Sequence, residues 1–160
     1  MHPNTIPVEI VYLDNYHGNP LTLQHEGDSG YDLCAAKIPP QAFICGVEFW
    51  CVPKKETRVI PTGIKVAIPL GFEMQVRTRS GSPLKRHFFV ANSPGTVDSG
   101  YRGEVGVIIH NLSDHVLFIE PGERIAQAVF SRVYHATFNV VTSLDETDRG
   151  DGAYNSTGVK

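Results

Sequence analysis

An aspartate, an aromatic ring and a charged pair share nine residues, TVDSGYRGE, at positions 96–104. Asp98 supplies a carboxylate that can hold a water molecule and accept its proton. Tyr101, three residues on, offers a flat face for stacking. Upstream, Arg79, Ser80 and Gly81 place a guanidinium, a hydroxyl and an open backbone N–H in one turn, a set of donors suited to phosphate oxygens. Asp32 is a second isolated acid, and the stretch TSLDETDRGDGAYNSTGVK at 142–160 sets Arg149, Tyr154, Ser156 and Thr157 in a glycine background. Each has an ordinary reading as well. Asp98 and Asp32 could be turn or solvent-facing residues, Tyr101 a core or interface ring, and 142–160 a frayed tail. No Walker loop, dinucleotide glycine fingerprint or metalloprotease histidine pair occurs. Taken singly, these residues support a β protein that binds a phosphorylated ligand and go no further.

The 160 residues suffice for one domain with a core of its own. A net charge of -3 and no basic block exclude nucleic acid as the main partner, while a few arginines can still meet a small polyanion. Cys34, Cys45 and Cys51 are odd in number and lack CxxC spacing, so reduced, mostly buried thiols are expected rather than a disulfide framework or structural zinc. The start, MHPNTIPVEIVYL, lacks a basic region followed by a long apolar stretch, and no apolar run reaches the length of a membrane span. The expected setting is cytoplasmic, or the host cytoplasm for a viral source, with no membrane partner.

The elements that must position the polar residues are short and β-like. Strands are expected at 6–13, 30–38, 43–53, 57–69 (two runs split by Pro61 and Gly63), 71–81, 88–91, 104–111, 115–121 and 124–141. In GFEMQVRTRSG the alternation is strict: Phe72, Met74 and Val76 on one side, Glu73, Gln75 and Arg77 on the other. Ser82-Pro83 opens one short helical turn over 82–87. Gly and Pro punctuate the runs, which predicts an all-β sandwich, jelly roll or barrel. Beyond Val141 the apolar content falls, giving a β domain at 1–141 and a flexible arm at 142–160.

Order and spacing add a further step. SGYDLCAA at 29–36, RSG at 79–81, PGTVDSGYRGE at 94–104, GERIAQAVF at 122–130 and DRGDGAYNSTG at 148–158 closely resemble the five ordered motifs of the trimeric dUTPases. The resemblance covers nearly the whole chain from residue 29 and implies a distorted jelly-roll (β-clip) subunit in a homotrimer. It also implies Mg²⁺-dependent hydrolysis of dUTP to dUMP and pyrophosphate. Each site is then shared by three chains, the C-terminal arm of one closing over a pocket between two others.

On this resemblance Asp98 orients the water that attacks the α-phosphorus, and Tyr101 packs beneath the deoxyribose and crowds C2′ against a ribose hydroxyl. Asn92, with backbone groups of Gly95 to Val97, reads the uracil edge. Asp32 holds Mg²⁺ through water while the nucleotide phosphates hold the metal directly. Arg79, Ser80, Gly81 and Gln127 bind phosphate, and Arg149, Ser156, Thr157 and Gly158 of the arm bind the γ-phosphate. Tyr154 stands where the family usually has phenylalanine stacking on uracil. Arg124 reads as structural, paired across its hairpin. Ala153 and Asn155 depart from a usually glycine-richer arm, and Val97 replaces a more usual isoleucine.

The apolar segment 38–55 is longer than expected for the family. It reads as an extra hairpin or extended strands at a trimer face, or as an exposed patch around Phe49 and Trp50 for another protein, with packing the favoured reading. Two rivals stand beside hydrolysis of dUTP: a dCTP deaminase, which shares the fold but normally has a glutamate near the position of Asp98, and a regulatory or structural trimer that keeps the pocket.

Overall fold

The computed structural model describes residues 5–39 and 48–151. Its strands are β1 Glu9–Tyr12, β2 Tyr31–Cys34, β3 Trp50–Val52, β4 Thr57–Pro61, β5 Ile64–Ala67, β6 Phe72–Arg77, β7 Phe88–Val90, β8 Gly95–Val97, β9 Gly106–Asn111, β10 Leu117–Ile119 and β11 Arg124–Arg132. All pairings are antiparallel: β1 with β5, β3 with β10, a four-stranded sheet ordered β2-β11-β6-β8, and a three-stranded sheet ordered β4-β9-β7. The expected all-β class holds. Among the described residues no helix is long and apolar enough to cross a membrane.

The strands face one apolar core. Leu33, Val52, Ile60, Ile64, Met74, Phe88, Val90, Val107, Ile109, Ile119 and Ile125 are essentially without solvent contact. Burying such a side chain stabilises the fold by about 1.5–3 kcal/mol. β6 shows the strict alternation in space, with Met74 and Val76 buried while Glu73, Gln75 and Arg77 line the other face. There Gln75 accepts from Arg77 Nε at 2.9 Å and donates to Glu73 at 2.5 Å, so the polar face carries its own hydrogen-bond row.

The boundaries show where sequence patterning stops. Pro61 ends β4, Gly63 turns the chain at φ +72°, and a Cβ there would stand 2.5 Å from the Tyr16 backbone. The expected helical turn is a five-residue π-helical turn, Ser82–Arg86, closed by His87 in the left-handed region at φ 54°. β8, three residues long, had no periodic signal to announce it. The strand expected at 124–141 ends at Arg132; Val133 still donates to the Gly71 carbonyl at 2.9 Å, and the described chain beyond joins no sheet, with Tyr134, Phe138, Val140 and Leu144 at least 84% exposed.

Of the 38–55 segment, residues 40–47 lie outside the described residues, and Cys45 with them. Trp50 packs on the core and donates its indole N–H to the Ala36 carbonyl at 2.8 Å, while Phe49 meets the exposed Phe118 edge to face. Cys34 and Cys51 are free thiols and half-buried.

Candidate active site

The four-stranded sheet brings together residues that lie far apart in sequence. Along one rung Asp32 of β2 pairs with Gln127 of β11, which pairs with Arg77 of β6. Partners on a rung share a face. Beyond β6 the chain turns at Arg79-Ser80-Gly81, and these residues, with Asp32, Gln127 and Arg124, line a cavity of about 840 Å³. Residues from three of the five motifs thus meet in one pocket.

Asp32 is its electrostatic centre. Its Oδ1 accepts from Arg79 Nε at 2.8 Å, its Oδ2 from Arg124 Nη1 at 3.2 Å, and its side chain is only 16% exposed. The expected hairpin partner of Arg124 is therefore corrected: its partner lies on β2, 92 residues away, because the sheet order puts β11 beside β2. Gln127 donates from Nε2 to the Thr78 carbonyl at 3.1 Å, and its amide oxygen fills the space above Gly30, where a Cβ would stand 2.4 Å from it. Beside the thiol of Cys34, burial first and then the neighbouring Asp32 carboxylate push its pKa above the ordinary value, which keeps it a neutral thiol.

The nucleoside-type residues sit elsewhere. Met74 pairs with Val97 and Val76 with Gly95, so one residue further along the register Asp98 lies beside Glu73, at the opposite end of β6 from Arg77. The four residue steps from Glu73 to Arg77 span about 14 Å of strand. Among the described residues the Asp98 side chain makes no hydrogen bond or ion pair and is exposed. The Asn92 amide lies against Gly95, where a Cβ would approach it to 2.8 Å. The Tyr101 ring covers Gly103, and its hydroxyl donates to the Glu104 carbonyl at 2.9 Å. Glu104 in turn accepts from Gly63 N at 2.7 Å and Asn15 Nδ2 at 3.1 Å, which ties the loop to the body of the protein. Asn92, Gly95, Val97, Asp98 and Tyr101 do not line the Asp32 pocket.

The pocket also contains residues not singled out from the sequence: His25 and Asp28 on one wall, Lys85 and Arg86 on the other. Arg86 forms a two-point pair with Glu123, at 2.8 and 2.9 Å, which fastens the π-helical turn to the turn before β11. Alternation carries no trace of these, since they come from loops and turns. Of the arm residues, Arg149 is exposed, and Tyr154, Ser156, Thr157 and Gly158 lie outside the described residues.

Comparison with known proteins bears directly on this arrangement. The dUTPase family model matches residues 17–158. The chain belongs to the dUTPase family. A deoxyuridine 5'-triphosphate nucleotidohydrolase of Picosynechococcus is 47% identical over 136 residues, 85% of this chain and 88% of the relative. Another from Maricaulis maris is 41% identical over 98% of this chain and 99% of its own. Among solved structures, the dUTPase of Staphylococcus bacteriophage 80alpha with dUPNHPP superposes with a TM-score of 0.79 at 26% identity, over 97% of this chain and all of that one. The nearly all-β dUTPase architecture, first inferred from five short motifs, is thus shared over the whole length of the chain.

Proposed function

We propose that this dUTPase-family chain is a Mg²⁺-dependent enzyme that hydrolyses dUTP to dUMP and pyrophosphate, working as a homotrimer. The observation that carries the reading is the separation of two groups of the family's polar residues along β6, with Asp98 level with Glu73, at the opposite end of the strand from Arg77 and the pocket. One is the Asp32–Arg79–Ser80–Gly81–Gln127 pocket, the other the Asn92–Tyr101 hairpin. A phosphate held in the pocket is out of reach of Asp98 on the same chain, so the Asp98 turn of one copy would meet the pocket of another. The stretch 133–144, with its exposed Tyr134, Phe138, Val140 and Leu144, is apolar surface that a neighbouring copy would cover. The arm at 142–160 would then close over the shared site.

In this site the solvent-facing Asp98 carboxylate orients water for in-line attack on the α-phosphorus and takes its proton. Arg79, Ser80, the N–H of Gly81 and Gln127 hold the phosphates as charge moves toward the leaving pyrophosphate. Tyr101, held by its hydrogen bond to the Glu104 carbonyl, presents its ring under the sugar and leaves no room for a 2′-hydroxyl. Asn92 and the backbone of Gly95 to Val97 read the uracil edge. Arg149, Ser156, Thr157 and Gly158 take the γ-phosphate, and Tyr154 stacks on the base.

The residues fit a metal that arrives with the nucleotide. Among the described residues no group of three or more His, Cys, Asp and Glu is arranged to enclose an ion. Asp32 already spends two acceptor positions on arginines, which leaves about two of its roughly four lone-pair sites for metal-bound water. When bound, Mg²⁺ supplies charge neutralisation across the phosphate oxygens.

The test is pyrophosphate release from dUTP, dCTP, dTTP and UTP with Mg²⁺, ammonia being assayed in the dCTP reaction, for the native chain and Asp98→Asn. The expected result is turnover of dUTP alone, lowered by about 10²–10⁴ in Asp98→Asn, with dUpNHpp binding retained. Ammonia from dCTP would assign the chain to deamination, tight binding without turnover to a regulatory trimer, and a monomer in sedimentation would remove the shared site.

A further inference from the structure

Arg124 stands at the start of β11, three residues before Gln127. Side chains alternate along a strand, so an unbroken β11 would point these two to opposite faces. The register slips between Arg124 and Ala126: Arg124 pairs with Cys34, and Gln127 with Asp32. Residues 32 and 34 share a face of β2, so this bulge turns Arg124 onto the pocket side beside Asp32 and Gln127. The slip is absorbed in the core, where the consecutive Ile125 and Ala126 are both 0% exposed.

The hydrogen bonds then show what Arg124 has to spare. Arg79 is the nearer of the two counter-ions of Asp32, at 2.8 Å against 3.2 Å for Arg124, and a second of its N–H groups reaches the Arg124 carbonyl at 3.4 Å. Arg124 uses one N–H on the other Asp32 oxygen, and its side chain is 52% exposed at the pocket wall. A guanidinium carries five N–H donors in a planar fork, so most of this one remains available to an anion. We propose that Arg124 is a second phosphate-binding cation of the site, turned into the pocket by the β11 bulge, with Asp32 the shared counter-ion that fixes both guanidinium groups. This rests on the dUTP reading above and adds a ligand-touching residue to it.

The experiment is calorimetric titration with dUpNHpp and with dUMP, in Mg²⁺ buffer, of the native chain, Arg124→Gln, Arg124→Lys, Asp32→Asn and the double variant Asp32→Asn/Arg124→Gln. Arg124→Gln is expected to weaken dUpNHpp by about tenfold or more, the scale of a charge-assisted hydrogen bond. dUMP, which lacks the β- and γ-phosphates, should change by less than about threefold, and Arg124→Lys should recover part of the loss. The decisive comparison is the double-mutant cycle. If Arg124 touches phosphate, its removal still costs affinity when Asp32 is already neutral. A loss that disappears in the Asp32→Asn background, or that is equal for dUMP and dUpNHpp, would reduce Arg124 to a structural partner of Asp32. Failure of the native chain to bind either nucleotide would instead strike the dUTP reading itself, and Arg124 would lose its ligand with it.

Discussion

Gly30 is the position where one added carbon should disable the site without disturbing the fold. A Cβ there would stand 2.4 Å from Gln127 Oε1, 3.2 Å from its Cδ and 3.3 Å from its Cβ. Gly30 is not among the positive-φ glycines, so alanine brings no backbone strain, only the collision. Non-bonded heavy atoms settle at roughly 3.4 Å or beyond, so the amide oxygen must withdraw by about 1 Å. Gln127 is a flexible side chain able to swing, which keeps the cost to stability small. The swing breaks or bends its 3.1 Å hydrogen bond to the Thr78 carbonyl and takes the amide off the position proposed for phosphate. Displacement of a positioning group by about 1 Å can cost up to 10²-fold in rate, so Gly30→Ala should lower kcat/KM for dUTP by about 10- to 100-fold, or about 1.4–2.7 kcal/mol in the barrier. The assay is steady-state pyrophosphate release beside a thermal melt. In a Gln127→Ala background, Gly30→Ala should have no further effect, because the colliding oxygen is gone. Native kcat/KM in Gly30→Ala, or a further loss in the double variant, would refute the account of how Gln127 is placed.

Two further outcomes concern stability. Asn111 is fully buried, donates to the carbonyls of Val52, Pro53 and His115 and accepts from Ser113, so Asn111→Ala should cost about 3–4 kcal/mol in a denaturant titration, at about 1 kcal/mol per lost bond; a loss under about 1 kcal/mol would contradict that accounting. Burial raises the pKa of the Cys34 thiol and, again by burial first, of the Tyr16 hydroxyl, so the folded state binds these protons more tightly than the unfolded state does. The resulting stabilisation is complete below the ordinary thiol value of 9.0 and is lost as pH rises through the raised folded value. Melting temperature should therefore fall on the alkaline side of pH 9, and less steeply in Cys34→Ala.

Much of the fold was legible because one physical signal dominates it. The alternation in β6 and the Pro61 and Gly63 breaks between β4 and β5 report burial on one side and turn chemistry directly. Where burial gives no periodic signal, the reading failed. β8 is three residues long, and its place is set by pairing with Met74 to Val76 rather than by its own pattern. The stretch after Arg132 is apolar enough to read as strand, yet beyond the Val133 N–H bond to the Gly71 carbonyl it joins no sheet among the described residues. Register was equally invisible: nothing in GERIAQ announces the slip that sends Arg124 to the side of Asp32. The site residues became legible only as an ordered set of motifs, because each is common by itself in loops and turns.

The geometry also explains why single residues in this sequence looked weak. A site built within one strand or loop concentrates its chemistry in one stretch, as glycine-rich phosphate loops do. Here the phosphate side is gathered by sheet order, Asp32, Gln127 and Arg77 being neighbours only across three strands. The nucleoside side is gathered by a hairpin whose loop is pinned through Glu104 to Gly63 and Asn15. β6 connects the two groups, the hairpin meeting it at Val76 beside Arg77 and running along it to the Asp98 level at the other end. A rigid strand about 14 Å long cannot fold the two ends onto one phosphate. A chain organised in this way prepares its two groups of polar residues independently, and under the proposed function a second copy would bring the complementary group into register.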